Sequence, residues 1–231
     1  MVASRRSGVI REVAELVQTL QQQDTDLDTV LGELTQSAAS AMPGAQYVGI
    51  TVASRNGKVR TASATDRYPV LLDEIQQRHE QGPCLSAAWE HHVIQIDDMQ
   101  LENRWPAYCQ GVVNETPIRS VISFQLFADH HEMGALNFYA EQPHAFDEEA
   151  AEVGLILATH TALAWNLVRR DEQFRSALAS RDIIGQAKGM IMERFKIDAV
   201  QAFELLKRLS QSSNTPLAAV DRQLVDSEDY S

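Results

Sequence analysis

Residues 47–65 read YVGITVASRNGKVRTASAT, two runs rich in β-branched residues on either side of Asn56-Gly57. Asn-Gly between such runs predicts a tight hairpin, because both residues accept the positive φ that the turn demands. The pattern alternates in kind on both sides of this hairpin. Upstream, Leu27, Val30, Leu31 and Leu34 recur at helical spacing and stop near Pro43-Gly44. Before them, residues 8–22 place Val9, Val13, Leu16 and Leu20 on one stripe of a further helix. Downstream, PVLLDEIQQRHE (69–80) reads as a helix entered through Pro69, and GPCLSAAWEH (82–91) as a loop entering a short helix. VIQID (93–97) reads as a strand, PAYCQGVVNE (106–115) as a helix, and SVISFQLFA (120–128) with MGALNFYAE (133–141) as two strands. Hairpins with helices between them predict an α+β domain, an antiparallel sheet flanked by helices.

From Asp147 the pattern is helical for a long way. Ala150, Val153, Leu157, His160, Ala164, Leu167, Asp171, Phe174 and Leu178 alternate spacings of three and four. That is a coiled-coil-like seam in need of a partner. The helix at 8–22 and a second copy of the chain are the two candidates, and a parallel dimeric bundle uses both. The expected organisation is an N-terminal helix (1–26), an α+β domain (27–165), a connector helix (147–180) and a C-terminal three-helix bundle (181–227). Gly185 and Gly189 interrupt the first of those three helices. Asp198 is an N-cap with Gln201 as its partner, opening a helix over 199–211 that presents Val200, Phe203, Leu206 and Leu209 inward. Thr215-Pro216 opens the third helix, with Leu217, Val220 and Leu224 as its buried stripe.

Charge is distributed unevenly. The chain of 231 residues has a formal net charge of −12, yet residues 1–165 hold 10 basic against 22 acidic residues and residues 166–231 hold 10 of each. Over 178–225 the count is 7 basic to 5 acidic. A mildly basic module behind an acidic body is compatible with nucleic acid as a partner. No apolar run approaches the ~20 residues that cross a bilayer, and the first residues lack a signal-peptide core, so a cytoplasmic protein without a membrane partner is expected. Cys84 and Cys109 lie 25 residues apart. That is neither a disulfide framework nor a zinc spacing, and two buried thiols are the simplest reading. Cys84 also stands at the entrance of the short helix, where the helix dipole would lower a thiol pKa. Adjacent histidines, as in His91-His92 and His130-His131, point to opposite sides of an extended chain, so they read as loop residues and not as metal ligands. No nucleophile elbow or phosphate-cradling glycine loop is present, so no catalytic residue, metal or cofactor is expected.

The segment RDIIGQAKGMIMERFKIDAVQAFELLKRLSQSSNTPLAAVDRQLV (181–225) resembles the ANTAR domain, an RNA-binding module of bacterial transcription antiterminators. Arg181, Ile184, Gln186-Ala187-Lys188-Gly189, Ile191-Met192, Ala202-Phe203, Leu206, Leu209, Leu217, Val220 and Leu224-Val225 carry the match. One position departs from the pattern. Asp221 stands where the family usually has a small apolar residue. The front part resembles a GAF domain of the kind fused to ANTAR in actinobacteria. Gly82-Pro83-Cys84-Leu85, Asp97-Asp98, Arg104-Trp105-Pro106, Arg119-Ser120-Val121, Phe124-Gln125-Leu126 and the run from Gly134 to Tyr139 carry that match.

The two resemblances imply a signal-responsive regulator that binds paired stem-loops in nascent transcripts as a homodimer, with a GAF domain open to a small-molecule ligand. The expected RNA-binding residues are Arg181, Gln186, Lys188, Gly189, Arg194, Lys196 and Arg208, with Lys207 a weaker candidate. Lys188 and Arg181 would neutralise phosphates, Gln186 would bond a base edge, and the glycines would permit close approach. Cys84, Trp89, Phe124 and Phe138 are the candidate lining of a ligand pocket. The alternative reading is a small-molecule-sensing or protein-interaction module whose ANTAR segment mainly dimerises.

Overall fold

The computed structural model describes residues 27–54, 56–85, 93–128 and 132–228. The expected helix within 1–26, Trp89 and the two histidine pairs lie outside these residues. The chain divides into two compact units, Met1–Val168 and Arg169–Ser231.

The first unit is built on a five-stranded antiparallel sheet of order β2-β1-β5-β4-β3. The strands are β1 (Tyr47–Ser54), β2 (Val59–Ala64), β3 (Val93–Ile96), β4 (Ser120–Ala128) and β5 (Glu132–Ala140). The hairpin joining β1 to β2 closes through the Ser54 N–H to the Lys58 carbonyl at 2.8 Å, and Gly57 takes φ 85°. Helices α1 (Leu27–Ala41), α2 (Arg67–His79) and α3 (Pro106–Glu115) follow the expected order. Helix α2 begins two residues before Pro69, because the Asp66 side chain accepts the Tyr68 N–H and caps it. Pro69 is tolerated in the first turn, where its missing N–H would have had no helical partner.

Strand alternation splits the core into two layers. On one side of the sheet, Ile50, Ile122, Phe124, Leu136 and Phe138 pack against Val30, Leu31 and Leu34 of α1. The first half of α4 (Glu148–Phe195) joins this layer through Ala150, Leu157, Ala164 and Trp165. Gly154 is required there, since a methyl group at that position would stand 2.3 Å from two ring atoms of Phe124. On the other side, Leu72 and Ile75 of α2 and Tyr108, Cys109 and Val112 of α3 pack against Ile96, Val121, Ala135 and Tyr139.

This packing corrects the seam read along α4. Ala150, Leu157 and Ala164 are covered by the chain's own sheet. The apolar side left in water carries Leu155, Leu163, Leu167, Phe174 and Leu178. The 23 residues Glu148–Arg170 are long and apolar enough to cross a membrane by length and composition, which the sequence reading had not recognised. One side of that stretch is committed to the sheet.

In the second unit α4 continues through Gly185 and Gly189 to Phe195, so these glycines do not interrupt the helix as expected. Each costs ~1 kcal/mol of helix propensity relative to alanine, a small sum for a helix of 48 residues. Helix α5 (Ala199–Ser213) opens with a capping box, Asp198 accepting from Val200 and Gln201 while Gln201 accepts the Asp198 N–H. Helix α6 (Leu217–Glu228) follows Thr215-Pro216. The buried centre is small: Ala187, Ile191, Ala202 and Leu206, edged by Leu205, Leu217 and Leu224. The inward face of α5 is therefore Ala202 and Leu206. Val200 (73% exposed), Phe203 and Leu209 face water, contrary to the stripe read from spacing.

Candidate functional site

The expected RNA-binding residues occupy more than one face of the second unit. Arg181, Gly185, Lys188 and Met192 are spaced four, three and four residues apart, so they share one face of α4. Arg181 is exposed and Lys188 half-buried. A methyl group built on Gly185 or Gly189 meets no atom within 4 Å, so packing inside the chain does not demand either glycine. Gln186 is exposed on a different side of the helix. Arg194 lies farther round still, where it borders a cavity of about 310 Å³ with Met190, Phe195, Leu205, Leu209 and Leu224. Lys196 sits at φ 53° in the turn between α4 and α5, and Arg208 is exposed on α5. Val200, Phe203 and Lys207, at spacings of three and four, form an apolar and basic face on α5. Sequence reasoning assigned Phe203 and Val200 to the core. The signal that separates them from Leu206 is the alanine at 202, which fixes the phase of the helix.

In the first unit, the described candidate pocket residues divide between the two layers, and Cys84 and Phe124 border one small void. The Phe124 and Phe138 rings meet edge-to-face at 6.0 Å in the layer against α1 and α4. Cys84 lies in the opposite layer, beside a water-sized void of about 10 Å³ that Pro83, Ile94, Ser123 and Met133 also border. Phe124 reaches this void as well. Trp89 is outside the described residues.

What that layer holds instead is a buried polar cluster around Asp73. The Thr51 hydroxyl donates to the carboxylate with 3.0 Å to each oxygen, Thr61 donates at 2.6 Å and the Gln76 amide at 3.3 Å. Asn137 donates to the Thr51 oxygen at 2.8 Å, and the Cys84 N–H donates to Gln76 at 3.0 Å. Burial pushes the Asp73 carboxyl up from 3.8 to about 7, against the pull of its three donors. The Asn137 Oδ1 atom is buried without a hydrogen-bond partner. Sequence reasoning missed this cluster entirely, because Thr51, Thr61, Asp73 and Asn137 come from β1, β2, α2 and β5.

Both thiols are buried, and burial pushes Cys84 and Cys109 up to about 12. The simplest reading of the two cysteines, buried thiols, therefore holds, and the raised value runs against an activated Cys84. A thiol held protonated is a poor nucleophile. Nearby, Arg119 grips Asp98 through two bonds, Nε to Oδ1 at 2.9 Å and Nη2 to Oδ2 at 2.7 Å, and holds that carboxyl below its ordinary range. Asp97, Asp98, Glu102 and Arg104 line an open cleft with His144, and the Arg104 guanidinium lies 4.6 Å from the Trp105 ring centre.

The model of the GAF domain matches residues 24–166. The chain belongs to the GAF family. The model of the ANTAR domain matches residues 172–225, so this GAF protein carries an ANTAR domain behind its sensory fold. Both are regulatory domains, not catalytic ones. Solved structures agree on the fold. A phosphoenolpyruvate-protein phosphotransferase GAF domain from Coxiella burnetii superposes with TM-score 0.51 at 15% identity, covering 71% of this chain and 96% of that one. The free methionine-R-sulfoxide reductase of Neisseria meningitidis gives 0.53 at 17%, covering 74% and 93%. The phytochrome photosensory core module of Stigmatella aurantiaca gives 0.59 at 13%, covering 88% of this chain and 45% of that one. At such identities the likeness carries the fold alone. No curated protein matches the chain in sequence.

Proposed function

We propose that this GAF–ANTAR protein is a cytoplasmic transcription antitermination regulator that binds paired stem-loops in nascent RNA as a homodimer, its GAF domain receiving the signal. The observation that carries the reading is the presence of both domains in one chain, with Arg181 and Lys188 on one face of α4 beside two glycines that no described residue fills. Two cations on an open, close-approach surface suit a ribose-phosphate backbone. Phe203 and Val200 add an exposed face on which unstacked loop bases can stack, and such stacking contributes about 1–3 kcal/mol per base. The exposed leucines Leu155, Leu163 and Leu167 on the first half of α4 support the homodimer, because a second copy of the same helix would cover them. Two linked ANTAR domains then meet two linked loops, and the second contact gains from effective concentration. A small-molecule signal would enter the GAF domain at the Asp73 layer, where the void has room for little more than water, so the turn bearing Cys84 would have to give way.

The test is binding of the full chain to a two-stem-loop RNA, beside a one-loop RNA, a scrambled RNA and the Lys188→Ala variant. Preference for two loops over one, lost together with Lys188, is the expected result. Equal binding to the scrambled RNA would sink the proposal.

A further inference from the structure

Helix α6 presents Leu217, Asp221 and Leu224 at spacings of four and three, one face directed at a centre made of Ala187, Ile191, Ala202 and Leu206. Leu217 and Leu224 do what that position asks. Asp221 is 0% exposed, and neither of its carboxylate oxygens has a hydrogen-bond partner. Among the described residues no cation pairs with it. On α4, Lys188 is the half-buried charge of the module, while Glu193 and Arg194 are exposed. On α5, Glu204, Lys207 and Arg208 are exposed, and on α6 itself so are Arg222 and Asp226.

A carboxylate stripped of water and given no donor is far costlier than a centre of this size can offset, so the group enters the bundle with its proton. Burial accordingly raises the Asp221 carboxyl above its ordinary value. Out in water, on an undocked α6, the same group ionises in the usual acid range. Docked and undocked helices thus differ by one bound proton, and linkage makes the docking equilibrium depend on pH. The sign follows from the raised value. Docking is at full strength below the ordinary carboxyl range and weakens as pH rises through the docked-state value. Thr215-Pro216 and the left-handed Asn214 (φ 49°) join α5 to α6 through a short turn, so the helix can swing away without unwinding its neighbour.

We propose that α6 is a proton-coupled latch, docked on α4 and α5 when Asp221 is neutral and released when it ionises. Its release exposes Leu217, Leu224 and Val225 together with the surfaces of Ala187 and Ala202 that they edge. The latch concerns the fold of the ANTAR module and holds whether or not that module binds RNA.

The experiment is amide hydrogen exchange on the full chain at about pH 4, in the ordinary carboxyl range, and about pH 8, each rate divided by the intrinsic rate at that pH. Residues 217–228 are followed, with β4 and β5 as internal references. The wild-type chain is expected to lose protection in α6 by about tenfold or more at the higher pH, as a group crossing its ionisation range does. Asp221→Ala should stay protected at both values, and Asp221→Asn should show a level that does not change with pH. Equal wild-type protection of α6 at the two pH values overturns the proposal without recourse to any variant. Loss of wild-type protection that persists in both Asp221→Ala and Asp221→Asn overturns it as well.

Discussion

The Thr51 hydroxyl stands 3.0 Å from each carboxylate oxygen of Asp73, in the buried layer between β1 and α2. Thr51 also receives the Asn137 amide at 2.8 Å, so a single hydroxyl ties α2 to the two central strands. Removing it leaves a buried carboxyl with one donor fewer. Asp73 is raised from 3.8 to about 7, so the stability it contributes is full below the ordinary carboxyl range and is lost as pH rises through about 7. Thr51→Val should therefore cost about 1–3 kcal/mol at pH 8, where Asp73 must be charged, and less at pH 5. Thermal unfolding at the two pH values checks this. An equal loss at both would show that the hydroxyl serves packing alone.

Two glycines on one helix should answer oppositely to the same change. Gly154→Ala drives a methyl group into the Phe124 ring, with the nearest atoms at 2.3 Å, and overpacking of this kind typically costs about 1–3 kcal/mol. Gly185→Ala meets open space and should gain ~1 kcal/mol of helix propensity. Calorimetry of the two variants distinguishes them. If the open face of α4 touches RNA, Gly185→Ala will also weaken RNA binding while strengthening the fold.

The Asp98 carboxyl is lowered by Arg119, so its contribution has the other sign. It is present above the ordinary carboxyl range and disappears as pH falls through the lowered value. Arg119→Met should destabilise slightly near neutral pH and by nothing measurable once Asp98 is protonated. Urea unfolding at neutral and strongly acidic pH would reveal the difference.

The dimer reading rests on the exposed side of α4. Leu163→Glu combined with Leu167→Glu places two charges where both leucines face water in the single chain. The monomer should lose little stability, and the mass measured by sedimentation should fall from two chains to one. An unchanged mass would assign the dimer contact elsewhere.

Local chemistry made much of the fold readable. Asn56-Gly57 declared the hairpin, Pro106 placed α3 at its first residue, and Asp198 with Gln201 marked the start of α5. The readings that failed concern which way a correctly placed helix faces. Spacing of three and four along α4 and α5 admits more than one stripe, and tertiary contacts choose between them. Ala150 and Ala164 are buried because the sheet comes close, and Val200 is left out because nothing comes at all. The Asp73 cluster was illegible for another reason. Thr51 and Asn137 are 86 residues apart, and only the pairing of β1 with β5, which sets Thr51 opposite Ala135 and Gly49 opposite Asn137, makes them diagonal neighbours. Asp221 was visible as an oddity, but its complete burial required the bundle.

The alternation of side chains along β4 and β5 has one more implication. Ile122 and Phe124 belong to the layer packed on α1 and α4, while Val121 and Tyr139 belong to the layer that contains Asp73. Neighbouring codons therefore write to two separate chambers. Substitutions at alternate positions remodel the layer around Asp73 while the other stays as it is. A deletion of one residue in β4 would do the reverse, exchanging the contents of both chambers in a single event.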